Sequence, residues 1–294
     1  MLATALEAAN AERMLQKNVV ITGGTRGFGL ATARACLEAG ANVVICSEDL
    51  SDVRSAERSL GPRDALSGVK CDVTNPTDVE QLISFAVKRY GRIDVFINNA
   101  AAEGVFGKTA DVPIARGRRL LATDVLGTYY CSVCALRQLE KQRAGKLVNI
   151  VGKGARAHVP YSSLQLASKA WISAFTAIAR TEYGPLGVDV ATYDPGICFS
   201  ASARNVMVIT GEEKRAAAMR WLSRVLGAPA EVPGTELAEL VLSERKLSPQ
   251  QEHTRGWVML SRAFMRLVLR QPVPFAAHNV ITRVIPAERS LFSN

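Results

Sequence analysis

The sequence predicts an α/β fold, in which a doubly wound parallel sheet has helices on both faces and a helical C-terminal lid and extension follows. Two observations predict it. Strand-like apolar runs alternate with helical stretches over roughly the first two hundred residues, and a glycine-rich turn joins the first strand to the first helix. Such alternation is typical of right-handed βαβ units, whose ligand site lies at the carboxyl ends of the strands.

The elements follow one another in a regular order. Short apolar runs predict strands at residues 18–22, 42–47, 66–73, 93–98, 147–151 and 188–193. The stretches between them predict helices at residues 30–39, 50–60, 76–90, 115–141 and 164–183. After Gly196 the pattern changes to helical segments at residues 212–226 and 232–244, and we expect residues 197–247 to form a helical lid.

The length of 294 residues fits one α/β domain with additional ends. We predict an N-terminal arm over residues 1–16, the domain with its lid over residues 17–254, and a basic amphipathic extension over residues 255–294. In the extension, residues 257–270 predict a helix with Arg262, Arg266 and Arg270 opposite an apolar stripe. That pattern suits a peripheral membrane contact, a subunit interface or a lid helix.

Composition predicts a globular protein of a reducing compartment. The apolar fraction is 48%, no run approaches the ~18 to 20 apolar residues of a membrane span, and residues 1–17 lack the apolar core of a secretory signal. The six cysteines fall mostly within predicted strands and helices, where cysteine behaves as a small apolar residue. Cys131 and Cys134 have metal or redox spacing but no accompanying second pair, so we expect no metal and a cytoplasmic location.

The net charge of +9 and the pI of about 9.4 favour acidic partners, anionic cofactors or a membrane surface. The basic residues are dispersed, and no helix-turn-helix, zinc-finger or aromatic RNA-binding signature occurs. We therefore expect no nucleic-acid partner.

The stretch from Thr22 to Gly29 reads Thr-Gly-Gly-Thr-Arg-Gly-Phe-Gly and stands between an apolar strand and a helical run. Glycines at 23, 27 and 29 let the backbone turn sharply and approach a pyrophosphate, which would lie at the positive end of the following helix. A flexible surface turn is the alternative. The strand before, the helix after and the apolar second strand favour a dinucleotide site.

Several motifs together resemble the short-chain dehydrogenase/reductase family, from about residue 17 to residue 200. Besides the glycine-rich turn, these are Cys71-Asp72-Val73, Asn98-Asn99-Ala100-Ala101 and Asp194-Pro195-Gly196. The resemblance implies a Rossmann fold and, commonly, a homodimer or homotetramer formed through the long helices. Finer features at residues 42–47, 70–74 and 149–154 resemble the chlorophyll b reductase branch, which hints at a large lipophilic substrate.

The resemblance implies a nicotinamide dinucleotide as cofactor, with the Asp72 carboxylate on the adenine amine. The residues it assigns to the cofactor are Gly23, Thr25, Arg26, Gly27, Phe28, Gly29, Ser47, Asp72, Val73, Asn99, Ala100, Ala101, Lys169, Pro195, Gly196, Ile197 and Ser200. Arg26 is well placed to meet a 2′-phosphate, which favours NADP(H). Glu48 would repel that phosphate or bind ribose hydroxyls instead, so NAD(H) stays open.

The catalytic positions that the resemblance implies are changed. The family's lysine is present as Lys169, whereas its tyrosine position is Gln165, its serine position is Gly152 and its asparagine position is Asp124. Asp124 would form an ion pair that holds Lys169 charged; the alternatives are an exposed helix carboxylate and a solvated lysine.

Glutamine donates hydrogen bonds but transfers no proton near neutral pH. General acid–base catalysis is worth about 10² to 10⁴ in rate, so the family's usual reduction should be crippled unless another acid substitutes. Tyr161, one helical turn before Gln165, is the candidate to test first, and a loop aromatic that simply packs is the alternative. Lys153, Arg156 and His158 are further candidates.

Two functions follow from these residues. The first is an NADP(H)-binding enzyme with a non-standard mechanism, acting by reduction or by a non-redox cyclisation or isomerisation. Its substrate would be bulky and apolar, because the apolar residues Val206, Met207, Val208, Ile209, Met219, Trp221, Leu222 and Val225 fall in the lid. The second is a non-catalytic nucleotide-binding or regulatory protein that kept the fold.

Overall fold

Seven parallel strands form the central sheet of the computed structural model, which describes residues 17–61, 63–152, 159–199, 205–252 and 281–288. The strands in these residues are β1 (Asn18–Thr22), β2 (Asn42–Ser47), β3 (Leu66–Lys70), β4 (Val95–Asn98), β5 (Val105–Phe106), β6 (Gly145–Ile150), β7 (Val188–Asp194), β8 (Cys198–Phe199), β9 (Asn205–Ile209), β10 (Ala228–Pro229), β11 (Gln250–Glu252) and β12 (Ile281–Ile285). The α-helices are α1 (Gly27–Glu38), α2 (Leu50–Leu60), α3 (Pro76–Tyr90), α4 (Ile114–Leu121), α5 (Thr128–Gln142), α6 (Ser163–Tyr183), α7 (Glu213–Leu226) and α8 (Glu231–Leu242).

The strand order of the central sheet is β11-β7-β6-β4-β1-β2-β3, and all its neighbouring pairs are parallel. Val20 of β1 pairs with Val44 of β2 on one side and with Phe96 of β4 on the other. The chain therefore builds outward from β1 to β3 and then crosses back to β4 on the other side of β1. This switch point opens a crevice at the carboxyl ends of β1 and β4 and confirms the predicted doubly wound fold.

Alternate residues of the buried strands face two cores, one on each side of the sheet. Val19 and Ile21 pack in one core with residues of α1, α2 and α8, whereas Val20 packs in the other with residues of α3, α5 and α6. Because side chains alternate along a strand, a strand covered on both faces needs an apolar residue at every position. This explains the uninterrupted apolar runs of the sequence.

Lys146 links the start of β6 to the end of α8. Its Nζ donates to the backbone oxygens of Ser243 at 2.6 Å, Arg245 at 3.0 Å and Leu240 at 3.3 Å. These bonds satisfy carbonyl groups that have no partner within a helix, and the cation lies at the negative end of the α8 dipole. The lysine thereby fixes α8 against the sheet.

The single helix predicted over residues 115–141 is wrong in its middle. The segment Ala122–Gly127 is a π-helix that joins α4 to α5. At its end, a Cβ on Gly127 would lie 2.8 Å from Val73 Cγ2, so the helix passes very close to the turn that follows β3. Such π segments depend on tertiary contacts and often occur at functional sites, and apolar periodicity does not reveal them.

The helical lid predicted over about residues 197–247 is also wrong in part. Helices α7 and α8 lie there, but β9 forms the middle strand of a small parallel sheet of order β12-β9-β5. Met207, Val208 and Ile209 are buried in it rather than exposed to a substrate. Three apolar residues in succession suit a strand that is covered on both faces, which is the physical reason for the difference.

The remaining boundaries differ by a few residues. The strand predicted over residues 66–73 ends at Lys70, since the Asp72 carboxylate accepts from Thr74 N at 2.8 Å and turns the chain. The strand predicted from residue 93 begins at Val95, because Ile93 N donates to the Gln142 side chain. The predicted arm and the tail helix at residues 257–270 lie outside the described residues. Within the described residues, no helix is long and apolar enough to cross a membrane.

Candidate functional site

The glycine loop, residues 22–29, turns from β1 into α1 at the centre of the crevice. Gly23 and Gly27 have φ angles of +60° and +56°, in the left-handed region that favours glycine. A Cβ on Gly23 would lie 2.9 Å from the Cα of Ala100, and a Cβ on Gly29 would collide with the Asn99 side chain. The loop therefore needs glycine both for its turn and for its close packing.

The start of α1 is suited to an anion. Arg26 precedes the helix without a capping hydrogen bond from its side chain, and the first turn contains no acidic residue. The helix dipole and the first N–H groups can therefore receive a negatively charged group. Thr25 and Phe28 are buried. The Phe28 ring stacks on the Tyr193 ring of β7, with 5.9 Å between the centroids, and this contact fixes the glycine loop to the sheet.

The loop after β4 braces the glycine loop. Asn99 Nδ2 donates to the backbone oxygens of Thr22 at 3.0 Å and Gly23 at 2.9 Å. In return, Thr22 Oγ1 accepts from the N–H groups of Asn99 at 3.0 Å and Ala100 at 3.1 Å. Ala101 follows and is half-buried. The predicted cofactor residues of this loop thus shape the glycine loop, and their contact with a cofactor stays a prediction.

The ends of β2 and β3 form the other half of the crevice. Ser47 is half-buried, and Asp72 Oδ1 accepts from both the N–H and the Oγ1 of Thr74 at 2.8 Å. Val73 is buried against Gly127. The predicted bond of Asp72 to an adenine amine stays a prediction.

Asp124 and Lys169 form the ion pair that the sequence predicted. Lys169 Nζ lies 3.7 Å from Asp124 Oδ2, with the two side chains 14% and 1% exposed, so neither is a solvated surface group. Asp124 also accepts from Ala102 N at 2.8 Å and from Ser168 Oγ at 3.3 Å. Lys169 donates further to the backbone oxygen of Ile150 at 3.4 Å. The π segment, α6 and β6 together hold the lysine at the crevice.

Gln165 stands one helical turn before Lys169 on α6 and is exposed. Its amide touches Gly104 in the loop after β4, where a Cβ would collide with it. Gly152 follows β6, and a Cβ there would meet none of the described residues within 4 Å. A serine therefore fits at position 152 without displacing any described residue.

Tyr161 lies at the end of the β6–α6 connection and packs between β5 and α7. Its ring stacks on Phe106 at 5.5 Å, and the guanidinium carbon of Arg215 lies 4.9 Å from the ring centroid. Its φ of +70° is unusual for a residue with a side chain. These contacts favour the packed loop aromatic over the proton donor. The other candidates, Lys153, Arg156 and His158, lie outside the described residues.

The segment after β7 closes the crevice on the side of β6 and β7. Gly196 has a φ of +69°, and its N–H donates to Asp194 Oδ1 at 2.8 Å. Pro195 is buried, and Ile197 is half-buried and accepts from Ala228 N at 2.8 Å. Ser200 lies outside the described residues.

Two site residues were missed by the sequence analysis. Ser168 donates to Asp124, and its place beside Lys169 could have pointed to it. Arg119 pairs with Glu48, Nη2 to Oε1, at 2.8 Å. No spacing rule connects residues so far apart in the chain, so only the fold reveals that pair.

Three comparisons place the chain among known proteins. L-fucose dehydrogenase of Oryctolagus cuniculus is 33% identical over 231 residues, which are 76% of this chain and 78% of that protein. Chlorophyll(ide) b reductase NOL of Arabidopsis thaliana is 37% identical over 142 residues, 47% of this chain and 41% of that protein. A variant of actinorhodin polyketide ketoreductase, solved with NADPH, has a TM-score of 0.72 at 23% identity and covers 84% of this chain and 98% of its own.

The model of the family described as short chain dehydrogenase matches residues 17–208, well over half of the chain. The match runs from the strand before the glycine loop to β9, and so includes the glycine loop, the Asp124–Lys169 pair and the segment after β7. The family expected from the sequence motifs is confirmed: the chain belongs to the short-chain dehydrogenase family.

Proposed function

We propose that this protein binds a nicotinamide dinucleotide, NADP(H) in preference to NAD(H), and acts on a bulky apolar substrate by a non-standard mechanism. The observation that carries the proposal is the buried Lys169–Asp124 pair at 3.7 Å, one helical turn from a glutamine. A buried ion pair is expensive to desolvate and adds little stability. The presence of this lysine in such a pair, although position 165 is a glutamine, supports a role for the lysine itself.

The residues that line the crevice are suited to the separate parts of a dinucleotide. The glycine loop and the start of α1 would receive the pyrophosphate, and Lys169 would donate to the hydroxyls of the nicotinamide ribose. When bound, the nicotinamide ring gives or accepts a hydride. Asp124 pairs with Lys169 and fixes the direction of its side chain.

The reaction needs a proton donor other than a phenol. In a reduction, the substrate oxygen takes one proton, and the Lys169 ammonium can supply it and be protonated again from solvent. Gln165 would donate an amide hydrogen bond to the same oxygen and orient it. In a cyclisation or isomerisation the same two residues would orient the substrate without hydride transfer.

The substrate class rests on the surface of α7. Met219 and Trp221 are 38% and 56% exposed there, in the segment that follows Gly196. By their names, the rabbit relative acts on L-fucose, a sugar, and the plant relative on a chlorophyll derivative, which is large and lipophilic. The exposed apolar side chains favour the second kind of substrate.

A face of α5 and α6 supports assembly of two or four copies of the chain. Tyr129, Trp171 and Ile178 are exposed on it by 43%, 37% and 61%. Trp171 and Tyr129 both contact the Phe175 ring, at 5.1 and 6.1 Å between centroids. Exposed aromatic clusters of this kind are typical of subunit contacts. Light scattering after gel filtration of the Ile178→Asp variant should show smaller particles than the unchanged protein.

Calorimetric titration tests the cofactor half of the proposal. NADPH should bind the unchanged protein more tightly than NADH. Lys169→Met should weaken NADPH binding about 10- to 100-fold, the worth of a charge-assisted hydrogen bond. Lys88→Met, which removes an exposed lysine from α3, serves as the control and should bind normally. Absence of binding by both cofactors would overturn the proposal and favour a protein that kept the fold without its ligand.

Turnover assays test the chemistry. The bicyclic ketone 1-decalone represents the apolar class and is assayed with the reduced cofactor NADPH. L-Fucose represents the sugar class and is assayed with the oxidised cofactor. NADPH consumption with the ketone alone supports reduction of an apolar substrate. Oxidation of L-fucose at a faster rate would overturn the substrate class. Conversion of an apolar substrate at a constant NADPH concentration would favour the non-redox route.

A further inference from the structure

Glu48 and Arg119 form an ion pair that connects the two walls of the crevice. Arg119 Nη2 lies 2.8 Å from Glu48 Oε1. Glu48 follows β2 directly, whereas Arg119 is on α4, which comes after the loop that follows β4. In the sheet β1 lies between β2 and β4, so the pair spans the end of β1 and the glycine loop. Both side chains are mostly exposed, by 59% and 63%, and can change partner without leaving water.

The position of Glu48 identifies what the pair would meet. An acidic residue about twenty positions after the glycine turn accepts the adenosine ribose hydroxyls in dinucleotide-binding folds of this type. Glu48 has that spacing from Gly29. Its neighbour Asp49 is directed elsewhere, because its carboxylate accepts from Ser51 N at 2.7 Å and caps α2. Glu48 is thus the carboxylate at the ribose position, and Arg119 is the cation bonded to it.

We propose that Arg119 selects NADP(H) over NAD(H), and that Glu48 competes with the 2′-phosphate for it; this inference rests on the proposed function. With NAD(H), Glu48 accepts the ribose hydroxyls and keeps its bond to Arg119. With NADP(H), the phosphate takes over the guanidinium and Glu48 turns into solvent. The phosphate carries up to twice the charge of the carboxylate and accepts the planar guanidinium in a bidentate way, so it wins this competition.

The fold gives Arg119 a fixed base from which to act. Helix α4 runs without interruption into the π segment, which carries Asp124 and through it holds Lys169. One helical run therefore presents a group to each end of a dinucleotide. Arg26 is exposed on the glycine loop, and its positive charge would add to the attraction for a phosphate. Arg118, the exposed neighbour of Arg119 on α4, points to another side of the helix, since successive residues are about 100° apart.

Calorimetry with two matched ligand pairs tests the inference. NADPH against NADH reports on the whole cofactor, and adenosine 2′,5′-bisphosphate against AMP reports on the 2′-phosphate alone. Arg119→Gln should weaken NADPH and the bisphosphate about 10- to 100-fold and change NADH and AMP by less than about threefold. Glu48→Gln should strengthen NADPH binding and weaken NADH binding. Arg118→Gln is the matched control for lost positive charge and should shift all four ligands slightly and equally.

The outcomes separate this inference from the proposed function. If the unchanged protein binds NADPH but Arg119→Gln weakens NADPH and NADH by the same factor, the selection role of Arg119 is wrong while the proposed function stands. An equal loss in the Arg118→Gln variant would also overturn it, because general charge would then suffice. If neither cofactor binds the unchanged protein, both proposals fail together. Thermal unfolding of each variant verifies that these exposed substitutions leave the fold intact.

Discussion

Introducing a tyrosine at position 165 and a serine at position 152 should convert this protein into a conventional reductase. The double variant Gln165→Tyr/Gly152→Ser adds a phenol one helical turn from Lys169 and a hydroxyl after β6. Lys169 Nζ is already held by Asp124 at 3.7 Å and by Ile150 O at 3.4 Å, so the cation that activates a phenol is in place. The serine meets none of the described residues within 4 Å of its Cβ.

The size of the gain follows from what a proton donor contributes. General acid catalysis is worth about 10² to 10⁴ in rate, which is about 3 to 5 kcal/mol of the activation barrier. We expect the rate of NADPH-dependent reduction of 1-decalone to rise by about 10², the lower end of that range. The Gln165 amide touches Gly104, and the larger tyrosine ring has to move away from that contact before it reaches a working position.

A matched control separates the proton from the bulk of the ring. The variant Gln165→Phe/Gly152→Ser carries the same ring and the same serine but no phenol hydroxyl. NADPH oxidation should rise with tyrosine and stay at the level of the unchanged protein with phenylalanine. Equal rates for the two variants, with NADPH binding intact in calorimetry, would refute the reasoning that the missing proton donor limits reduction.

Three further predictions concern stability and reactivity. Lys146→Met should lower the free energy of unfolding by about 1 to 3 kcal/mol, since the carbonyl groups at the end of α8 lose their donor. Urea titration measures this loss. Lys141→Met, at an exposed position, is the control and should leave the free energy of unfolding unchanged. Tyr161→Phe should leave both the melting temperature and the turnover rate unchanged, because the ring and not the hydroxyl makes the observed contacts. A loss of turnover at an unchanged melting temperature would show that the Tyr161 hydroxyl is catalytic. In native protein at mildly alkaline pH, iodoacetamide should modify half-buried Cys134 before buried Cys36. Burial raises the pKa of both thiols, to about 12 for Cys36, but only Cys134 is partly accessible to the reagent. Peptide mass spectrometry reads the order of modification.

The central sheet could be predicted because its signal is local. Each strand is a short apolar run with residues such as Val19, Val20 and Ile21 facing alternate cores, and the helices fill the gaps between the runs. The glycine loop was equally visible, since the turn needs glycine at positions 23 and 27 and its place between a strand and a helix is fixed by the chain order. The Lys169–Asp124 pair was reached through family motifs, which encode a spatial contact as two positions in sequence.

The parts that failed depend on contacts between distant segments. The π segment forms where Gly127 passes Val73 and where Asp124 reaches back to Ala102 N, and neither contact has a periodic signature. The small sheet joins β5, β9 and β12 from three separate regions of the chain. Arg119 and Glu48 can form their ion pair only when β2 and β4 lie on either side of β1. In each case local composition allows several outcomes, and tertiary packing decides among them.

The carboxylate at position 124 bears on what a phenol at position 165 would do. A lysine whose side chain is only 14% exposed needs a partner, because an unpaired buried charge is strongly destabilising. Asp124 supplies that partner. The same carboxylate would oppose a restored tyrosine, since a nearby negative charge disfavours the phenolate and raises the phenol pKa.

The triple variant Gln165→Tyr/Gly152→Ser/Asp124→Asn should therefore reduce 1-decalone faster than the double variant at neutral pH. In the pH profile of kcat, the group assigned to the introduced phenol should titrate at a lower pH in the triple variant, because the opposing carboxylate is gone. The asparagine still accepts from Ala102 N and so keeps the bond that fixes the π segment. If the double and the triple variant give the same pH profile of kcat, Asp124 only holds the lysine in place. The carboxylate charge then has no part in setting proton transfer.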